Sequence, residues 1–357
     1  MRNSNKTAVL GIFIFCSITL FGQQAKRVLF LGNSYTYVNN LPQLVSELAS
    51  STGKTLIFDM NAPGGYYLGQ HLTNPTSLAK IAGGNWDHVV LQDQSMALAY
   101  PSTYRSFISY SVKLDSIIKV HNPCAQTMFY STWGRKPGDT YLCTQPECAV
   151  DTWISRTYYE MDSTITAHYK VFADSVKASM TPVGAAWRYI RQNYPSIELF
   201  QSDESHPSLA GSYAAACCFY TTLFRSDPTF ITFNSGLSAT DATNIKYAVK
   251  QIVYDHLSDW NVGPYDDLLD TDCLVLGADE KITNEYWTVF PNPVTDVLHV
   301  TFSGNTATNK VYIYNTLGVL MKEMEVEQTA AICFDEFSGG VYIIKSDGEP
   351  MVKVVKQ

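Results

Sequence analysis

Short apolar runs alternate with longer amphipathic segments between residues 27 and 262. The runs RVLFLG, TLIFDMN, WDHVVLQ and QTMFYS have the composition of strands. The third is apolar without alternation, as expected for a strand covered on both faces. Intervening segments such as LPQLVSELASSTG and YRSFISYSVKLDSIIKVH have the spacing of amphipathic helices. Because strands separated by helices form parallel sheets, the pattern predicts an α/β/α three-layer sandwich with a mostly parallel sheet.

The character of the chain changes after residue 263. The segment 263–287 is acidic and irregular, and we interpret it as a linker. Beyond it, the short alternating runs LHVTFS, KVYIYNTLG, GVYIIKSDG and VKVVKQ predict a small antiparallel β-sandwich. The expected organisation is therefore an α/β domain over residues 25–262, the linker, and a β domain over residues 288–357.

The N-terminal segment predicts export. Arg2 and Lys6 precede the apolar run AVLGIFIFCSITLFG, which is short and early for a membrane span and typical of a signal peptide over residues 1–22. An uncleaved anchor is the alternative. No second apolar segment of membrane length follows, so we expect no transmembrane segment in the mature chain. The formal net charge of −8 argues against nucleic acid as a partner.

Two cysteines lie close together in the segment YLCTQPECAV. An exported chain can form disulfides, so Cys143 and Cys148 are candidates for a short bridge. The alternative is a pair of metal ligands, but no nearby cysteine or histidine completes a set of four. We therefore expect a disulfide and no metal site.

Polar and glycine residues follow three of the predicted strands directly. They are Ser34 after Gly32-Asn33, the pair Gly64-Gly65, and the stretch from Gln92 to Gln94. In open parallel sheets, ligands bind beyond the carboxyl ends of the strands. The shared placement of these residues indicates a site at that edge.

The residues needed for nucleophilic catalysis by a serine are present in order. A serine nucleophile requires a base, a group that orients the base, and donors for the oxyanion. In the segment SDESHPSLAGSY, two residues separate Asp203 from His206, which allows the carboxylate to hold one ring nitrogen while the other faces Ser34. Gly64 or Gly65 is a candidate for a backbone donor. Taken singly, these residues are also compatible with a helix cap, a surface turn and a glycine turn, so the combination supports catalysis.

Four blocks in order, FLGNSYT, APGGYYLGQHL, WDHVVLQDQS and DESHPSLAGSY, resemble the sequence blocks of the SGNH, or GDSL-like, hydrolase family. The resemblance covers roughly residues 27–225. It implies a flavodoxin-like sandwich, no metal or other cofactor, and ester hydrolysis through an acyl-enzyme.

The resemblance also implies a role for each matching residue. Ser34 becomes the nucleophile and its backbone N–H an oxyanion donor. His206 becomes the base, and Asp203 its orienting partner. The backbone N–H of Gly65, or of Gly64, becomes the second oxyanion donor.

The third block departs from the family pattern. The family has an asparagine there, whose side-chain amide completes the oxyanion hole, whereas this chain has LQDQSMALA. Gln94 or Gln92 could supply the amide from a longer side chain. We favour Gln94 because Gln92 could still lie inside the strand.

The stretch FYSTWGRKPGDTYLCTQPEC is predicted to be a long loop at the same edge of the sheet. Its residues Trp133, Arg135 and Tyr141 are candidates to line a substrate cleft, together with Tyr35 and Tyr66. The alternative is a loop that packs on its own aromatic side chains.

The C-terminal segments VFPNPVTDVLHVTF, VYIYNTLGVLMKE and FSGGVYIIKSDGEPMVKVVKQ are similar to the C-terminal sorting domain of type IX secretion cargo in Bacteroidota. The similarity covers about residues 288–357. It implies interaction with the type IX machinery, passage through the periplasm and across the outer membrane, and release or attachment at the surface. A fibronectin-like sugar-binding module is the alternative.

These features together predict a secreted or cell-surface serine esterase. Export, candidate aromatic residues in the cleft and the lack of an obvious apolar lid favour small acyl groups, above all acetyl, on carbohydrate. A lipase or thioesterase would use the same catalytic residues. A surface carbohydrate-binding protein that has lost turnover is the alternative from another class, and the missing asparagine motivates it.

Overall fold

The structure is a computed structural model. It describes residues 25–144, 148, 150–265, 287–302, 308–315, 319–346 and 352–356. The predicted signal peptide and most of the predicted linker lie outside these residues. The chain divides into two compact units, with the boundary between Leu269 and Asp270.

The first unit is built on alternating strands and helices. Its strands are β1 (Lys26–Leu31), β2 (Leu56–Asn61), β3 (His88–Leu91), β4 (Gln126–Ser131), β5 (Asp139–Cys143), β6 (Thr152–Arg156) and β7 (Ser179–Pro182). Its α-helices are α1 (Ser34–Tyr37), α2 (Leu41–Ser50), α3 (Leu68–His71), α4 (Pro75–Ala82), α5 (Ser95–Ala99), α6 (Pro101–His121), α7 (Tyr158–Ser175), α8 (Val183–Asn193), α9 (Leu209–Phe224) and α10 (Ala239–Ile252).

Five of these strands form one parallel sheet in the order β2-β1-β3-β4-β7. Alternate side chains enter two separate cores, because successive residues of a strand point to opposite faces. One core lies under α2, α8, α9 and α10 and includes Val28, Phe30, Val90, Met128 and Tyr130. The other lies under α4, α6 and α7 and includes Leu29, Leu31, Val89, Leu91 and Phe129. The predicted three-layer α/β fold is confirmed.

Local capping signals fix where the helices begin next to the site. Ser208 accepts a hydrogen bond from the backbone N–H of Gly211 at 3.1 Å and starts α9 two residues after His206. Because α9 is buried along most of its length, its start holds the preceding turn against the domain.

The predicted loop after β4 contains regular structure. Strands β5 and β6 pair as an antiparallel hairpin, with Tyr141 opposite Ile154. Cys143 and Cys148 form the disulfide proposed from their spacing, with 5.9 Å between their Cα atoms. The loop prediction was wrong because a two-stranded hairpin gives only a short alternating pattern, which the glycines and prolines of the segment obscure.

The second unit contains two antiparallel sheets around one core, as predicted for a small β-sandwich. Its strands are β8 (Trp287–Phe290), β9 (Val297–Phe302), β10 (Asn309–Asn315), β11 (Leu320–Val326), β12 (Thr329–Cys333), β13 (Gly340–Ser346) and β14 (Val352–Lys356). Their orders are β11-β10-β13-β14 and β12-β9-β8. Both sheets contribute to a core that includes Val300, Ile313, Phe334 and Ile344.

The sequence identified only four of these strands. Strand β11 was missed because LMKEMEV is largely exposed and charged, and its identity as a strand depends on pairing with β10. In the part of the chain that the structure describes, no helix combines the length and apolar character needed to cross a membrane.

Candidate active site

The serine that follows β1 is held by its neighbours on both sides. Asn33 caps α1, because its side-chain Oδ1 accepts the backbone N–H of Tyr35 at 3.1 Å. The hydroxyl of Ser34 is therefore not needed as the cap, and it lies 2.8 Å from Nε2 of His206. The alternative that Ser34 itself caps the helix does not apply.

His206 and Asp203 share one tight turn before α9. Nδ1 of His206 is hydrogen-bonded to Oδ2 of Asp203. The other oxygen, Oδ1, accepts the backbone N–H groups of Ser205 and His206 at 3.1 and 3.0 Å. Desolvation alone would raise the pKa of Asp203, but these hydrogen bonds outweigh it and lower the pKa below its usual value. Asp203 is thus a carboxylate at neutral pH and holds the imidazole in one orientation.

Aromatic side chains pack against His206 and against the turn that carries it. The ring of Tyr35 meets His206 edge to face at 5.4 Å, and its hydroxyl lies 2.6 Å from Oγ of Ser205. Trp133 stacks between Tyr35 and Trp187 and donates its indole N–H to the carbonyl of Ser205 at 3.0 Å. These contacts fix the turn that carries the imidazole.

The same contacts correct the expectation that Tyr35 and Trp133 line a substrate cleft. Trp133 is 0% exposed and Tyr35 is 6% exposed, so neither offers a ring face to a substrate. Trp133 stacks on Tyr35 and Trp187, which lie outside the loop, so the alternative of a loop that packs on its own aromatic side chains does not describe it either. Stacking on Trp187, which lies far along the chain, helps to bury Trp133.

The other predicted cleft residues lie partly buried. Tyr66 packs against His71, and its hydroxyl accepts a hydrogen bond from Asn74 at 3.1 Å. The backbone N–H of Arg135 faces Sδ of Met161. Tyr141 packs under the guanidinium of Arg156 at 4.8 Å. The side chains of Tyr66 and Tyr141 are thus engaged in contacts within the domain, whereas Nε of Arg135 is buried without a hydrogen-bond partner among the described residues.

Two exposed tyrosines that the sequence did not single out lie beside the predicted oxyanion loop. Tyr37 is 44% exposed and Tyr67 is 43% exposed. The hydroxyl of Tyr37 would lie 3.5 Å from a Cβ placed on Gly64. Tyr37 follows Ser34 by three residues, close to one helical turn, and that spacing was the available signal.

Three N–H groups at this edge have no hydrogen-bond partner among the described residues. They are the backbone N–H groups of Ser34 and Gly65 and the side-chain amide Nε2 of Gln94. Gly65 has φ +73, and a Cβ there would have no atom within 4 Å, so the space beside its Cα is open. Oε1 of Gln94 caps α5 by accepting the N–H of Ala97 at 3.1 Å, which leaves Nε2 free.

The side-chain amide of Gln92 is occupied by hydrogen bonds within the domain. Its Oε1 accepts the backbone N–H of Asn33 at 2.8 Å and the hydroxyl of Thr36 at 3.0 Å, and its Nε2 donates to the carbonyl of Asp93. Both ends of the Gln92 amide are occupied, which favours Gln94 as the oxyanion amide. Sequence reasoning missed this role because the two groups that donate to Oε1 of Gln92 are 59 and 56 residues away.

The peptide group between Gly32 and Asn33 is hydrogen-bonded through both its C=O and its N–H, and we call this arrangement the clamp. Nε2 of buried His71 faces the carbonyl of Gly32 at 3.0 Å, while Gln92 accepts the N–H of Asn33. Nδ1 of His71 is hydrogen-bonded to Oγ of Ser77 at 2.7 Å. Burial lowers the pKa of His71, so the ring is neutral at pH 7 and donates to Gly32 from Nε2. His71 and Gln92 thus fix the backbone that presents Ser34.

Gly32→Ala is expected to loosen this clamp. A Cβ at Gly32 would lie 2.5 Å from Oε1 of Gln92 and would also overlap the hydroxyl of Thr36. Overpacking of this kind costs about 1–3 kcal/mol, and we expect kcat for the ester hydrolysis that the four-block resemblance implies to fall roughly 10–100-fold as Ser34 moves. Gly83→Ala is the matched control, because its nearest contact would be Ala79 O at 3.4 Å. Equal kcat for both variants would contradict the clamp.

Asp93 is a buried acid beside Gln94. Burial raises its pKa to about 8, against two backbone hydrogen bonds that lower it. In the unfolded chain an aspartate has a pKa near ~3.9, so the folded state binds the extra proton. Stability associated with Asp93 is therefore fully present below pH ~4 and is lost as the pH rises towards 8.

Asp93→Asn is expected to remove this pH dependence. The free energy of unfolding of the variant should rise relative to that of the natural protein by roughly 1 kcal/mol per unit between pH 5 and pH 8. Urea unfolding at both pH values measures it. Asp255→Asn, which removes an exposed carboxylate paired with Lys250, controls for the loss of one charge. If the difference in the free energy of unfolding between Asp93→Asn and the natural protein stays constant with pH, Asp93 is already ionised in the folded state.

Comparison with known proteins agrees with this fold. A crystal structure of a DUF4886 family protein from Bacteroides uniformis is 18% identical, with a TM-score of 0.53, and the match covers 64% of this chain and 94% of that one. This likeness shows a common fold. No curated protein matches the chain.

Other solved structures match at lower TM-scores. A candidate SGNH hydrolase from Slackia heliotrinireducens is 25% identical over 56% of this chain and 100% of its own, with a TM-score of 0.45. An acetyl xylan esterase variant from Geobacillus stearothermophilus is 16% identical over 54% of this chain and 92% of its own, with a TM-score of 0.38. One of these two structures is thus described as an SGNH hydrolase and the other as an esterase.

Residues 288–357 match the family model of the secretion system C-terminal sorting domain. The resemblance of the tail to type IX secretion cargo is confirmed. A tail of this kind directs export, and the protein is secreted or displayed at the cell surface.

Proposed function

We propose that the protein is an exported serine esterase. The observation that carries the proposal is the 2.8 Å separation between Oγ of Ser34 and Nε2 of His206, whose other nitrogen is held by Asp203. These three groups come from two segments about 170 residues apart. A nucleophile, a base and an orienting carboxylate in hydrogen-bonded series are the elements of acyl transfer.

The proposed reaction uses these groups in turn. Ser34 attacks the ester carbonyl while His206 accepts its proton, and the resulting oxyanion is stabilised by the N–H groups of Ser34 and Gly65 and the amide of Gln94. Protonated His206 then gives its proton to the departing alcohol, which leaves an acyl group on Ser34. A water molecule that His206 deprotonates attacks this ester and releases the acid.

Small acyl groups on carbohydrate, above all acetyl, are the proposed substrates. The sorting tail supports this choice because an exported enzyme meets polysaccharide. The exposed rings of Tyr37 and Tyr67, beside the oxyanion loop, support it as well, because aromatic faces with a polar tip suit contact with sugar rings. A lipase or thioesterase would use the same three residues, and acyl-chain preference distinguishes these activities.

The test is hydrolysis of p-nitrophenyl acetate, p-nitrophenyl butyrate and acetylated xylan by the purified protein. We expect the acetate to be cleaved faster than the butyrate. One equivalent of diethyl p-nitrophenyl phosphate should abolish turnover, and peptide mass spectrometry should locate the phosphoryl group on Ser34. Absence of both turnover and labelling would contradict the esterase and favour the carbohydrate-binding alternative, which binding to immobilised xylan would then measure. Faster cleavage of longer acyl chains would indicate a lipase or thioesterase.

A further inference from the structure

Asp93 lies at the junction of two loops that carry predicted oxyanion donors. It follows β3, is 1% exposed, and directs Oδ1 at two backbone N–H groups. One belongs to Leu68, at 2.9 Å, and the other to Gln94, at 2.6 Å. Leu68 begins α3, three residues after Gly65, and Gln94 precedes α5.

We propose that Asp93 is a positioning residue that fixes the Gly65 loop against Gln94, so that both donors converge on the oxyanion. The proposal deepens the esterase function and rests on it. In this scheme Asp93 does not contact the substrate, because the hydrogen bonds of its side chain are made with the backbone N–H groups of Leu68 and Gln94.

The two helices whose starts Asp93 connects are too short to be stable by themselves. Helix α3 has four residues and α5 has five, and a helix of about that length in isolation is unstable in water. Their first N–H groups have no partner inside the helix. An acceptor shared by Leu68 and Gln94 sets the separation of the two helix starts, and with it the separation of Gly65 from the amide of Gln94.

The Gly65 loop is fastened at a second point by the nucleophile loop. Nδ2 of Asn33 donates to the carbonyl of Tyr66 at 2.9 Å. The segment from Gly65 to Leu68 is thus tied to β1 through Asn33 and to β3 through Asp93. The three oxyanion donors lie on these tied segments, which is the preorganisation that oxyanion stabilisation requires.

The backbone of Asp93 is itself anchored. Its N–H donates to the hydroxyl of Tyr169 at 2.9 Å, and its carbonyl accepts from Nε2 of Gln92. Oδ2 of Asp93 is buried without a hydrogen-bond partner among the described residues. A buried polar atom without a partner costs stability, so an apolar side chain would be favoured if Asp93 served packing alone. Oδ1, which accepts two backbone N–H groups, is therefore the atom that accounts for an acid at this position.

Asp93→Val tests the proposal, because valine has a similar shape and no acceptor. We expect kcat for p-nitrophenyl acetate to fall roughly 10–100-fold with KM within about two-fold, since donors displaced by a fraction of an ångström bind the transition state less well than before. Asp93→Asn keeps an oxygen at the Oδ1 position and should restore kcat to within about three-fold of the natural protein. Near-UV circular dichroism gives the folded fraction by which each rate is normalised.

Asp115→Val is the matched control. Asp115 is a half-buried acid that accepts a hydrogen bond from the hydroxyl of Thr127 at 2.6 Å, near the amino end of β4 and so at the opposite edge of the sheet. It should change stability without changing kcat. If Asp93→Val keeps full kcat, or if Asp93→Asn loses as much as Asp93→Val, the positioning role is wrong while the esterase stands. If the natural protein cleaves no ester, both proposals fail.

Discussion

Replacing Ser34 with alanine is expected to lower kcat for p-nitrophenyl acetate by roughly 10⁶-fold. The variant retains His206, Asp203 and the other N–H donors, but it has no oxygen to form the acyl-enzyme. His206→Ala should cost about as much, because the hydroxyl and the imidazole act as a unit. The double variant should therefore be no slower than either single variant beyond a few-fold.

Steady-state kinetics at saturating ester, with Ser116→Ala as the matched control, measure this effect. Ser116 lies on α6 and bonds only the carbonyl of Val112, one turn back in its own helix. Its loss should leave kcat unchanged. Independent, multiplicative losses in the Ser34 and His206 variants would contradict a shared proton transfer, and a Ser34→Ala variant with full activity would place the chemistry elsewhere.

The catalytic candidates could be predicted because their signals are local. Asp203 and His206 lie three residues apart in one turn, and Ser34 directly follows a buried strand, so short stretches of sequence contain the geometry. The parallel sheet was equally predictable. Its strands are buried on both faces and therefore have a continuous apolar pattern, which β3 shows along its full length.

The supporting residues could not be predicted, since their roles depend on distant partners. His71 reaches the carbonyl of Gly32, and Gln92 reaches the N–H of Asn33, across 39 and 59 positions. Nothing near either residue in the sequence distinguishes a clamp from an ordinary core polar group. Trp133 was assigned to the cleft for the related reason that only its stacking on a helix far along the chain decides that it is buried.

The supporting network explains why polar groups are buried behind the nucleophile. Apolar packing is non-directional and tolerates repacking, whereas a hydrogen bond fixes both distance and direction. Gln92 holds Asn33 and the hydroxyl of Thr36, and it also donates to the carbonyl of Asp93. One side chain thus connects the loop that carries Ser34 with the loop that carries Gln94, and a displacement of either loop would be felt by the other.

Gln94→Ala is expected to lower kcat by about 10²–10³-fold with little change in KM, because the amide would act only on the charge that develops in the transition state. The alanine also removes Oε1, which caps α5 through the N–H of Ala97, and the loss of the cap costs about 1 kcal/mol in stability. A fall in kcat alone would not separate the donor from the cap, so a second variant is needed.

Gln94→Glu separates the two roles. Glutamate keeps an oxygen to accept the N–H of Ala97, but it replaces the Nε2 donor with a carboxylate oxygen that repels the oxyanion. We expect the thermal midpoint of Gln94→Glu to stay close to that of the natural protein while its kcat falls at least as far as that of Gln94→Ala. If Gln94→Glu keeps its kcat, the side chain is a helix cap and the oxyanion has only backbone donors. In that case the departure from the family asparagine would mark a hydrolase with one oxyanion donor fewer.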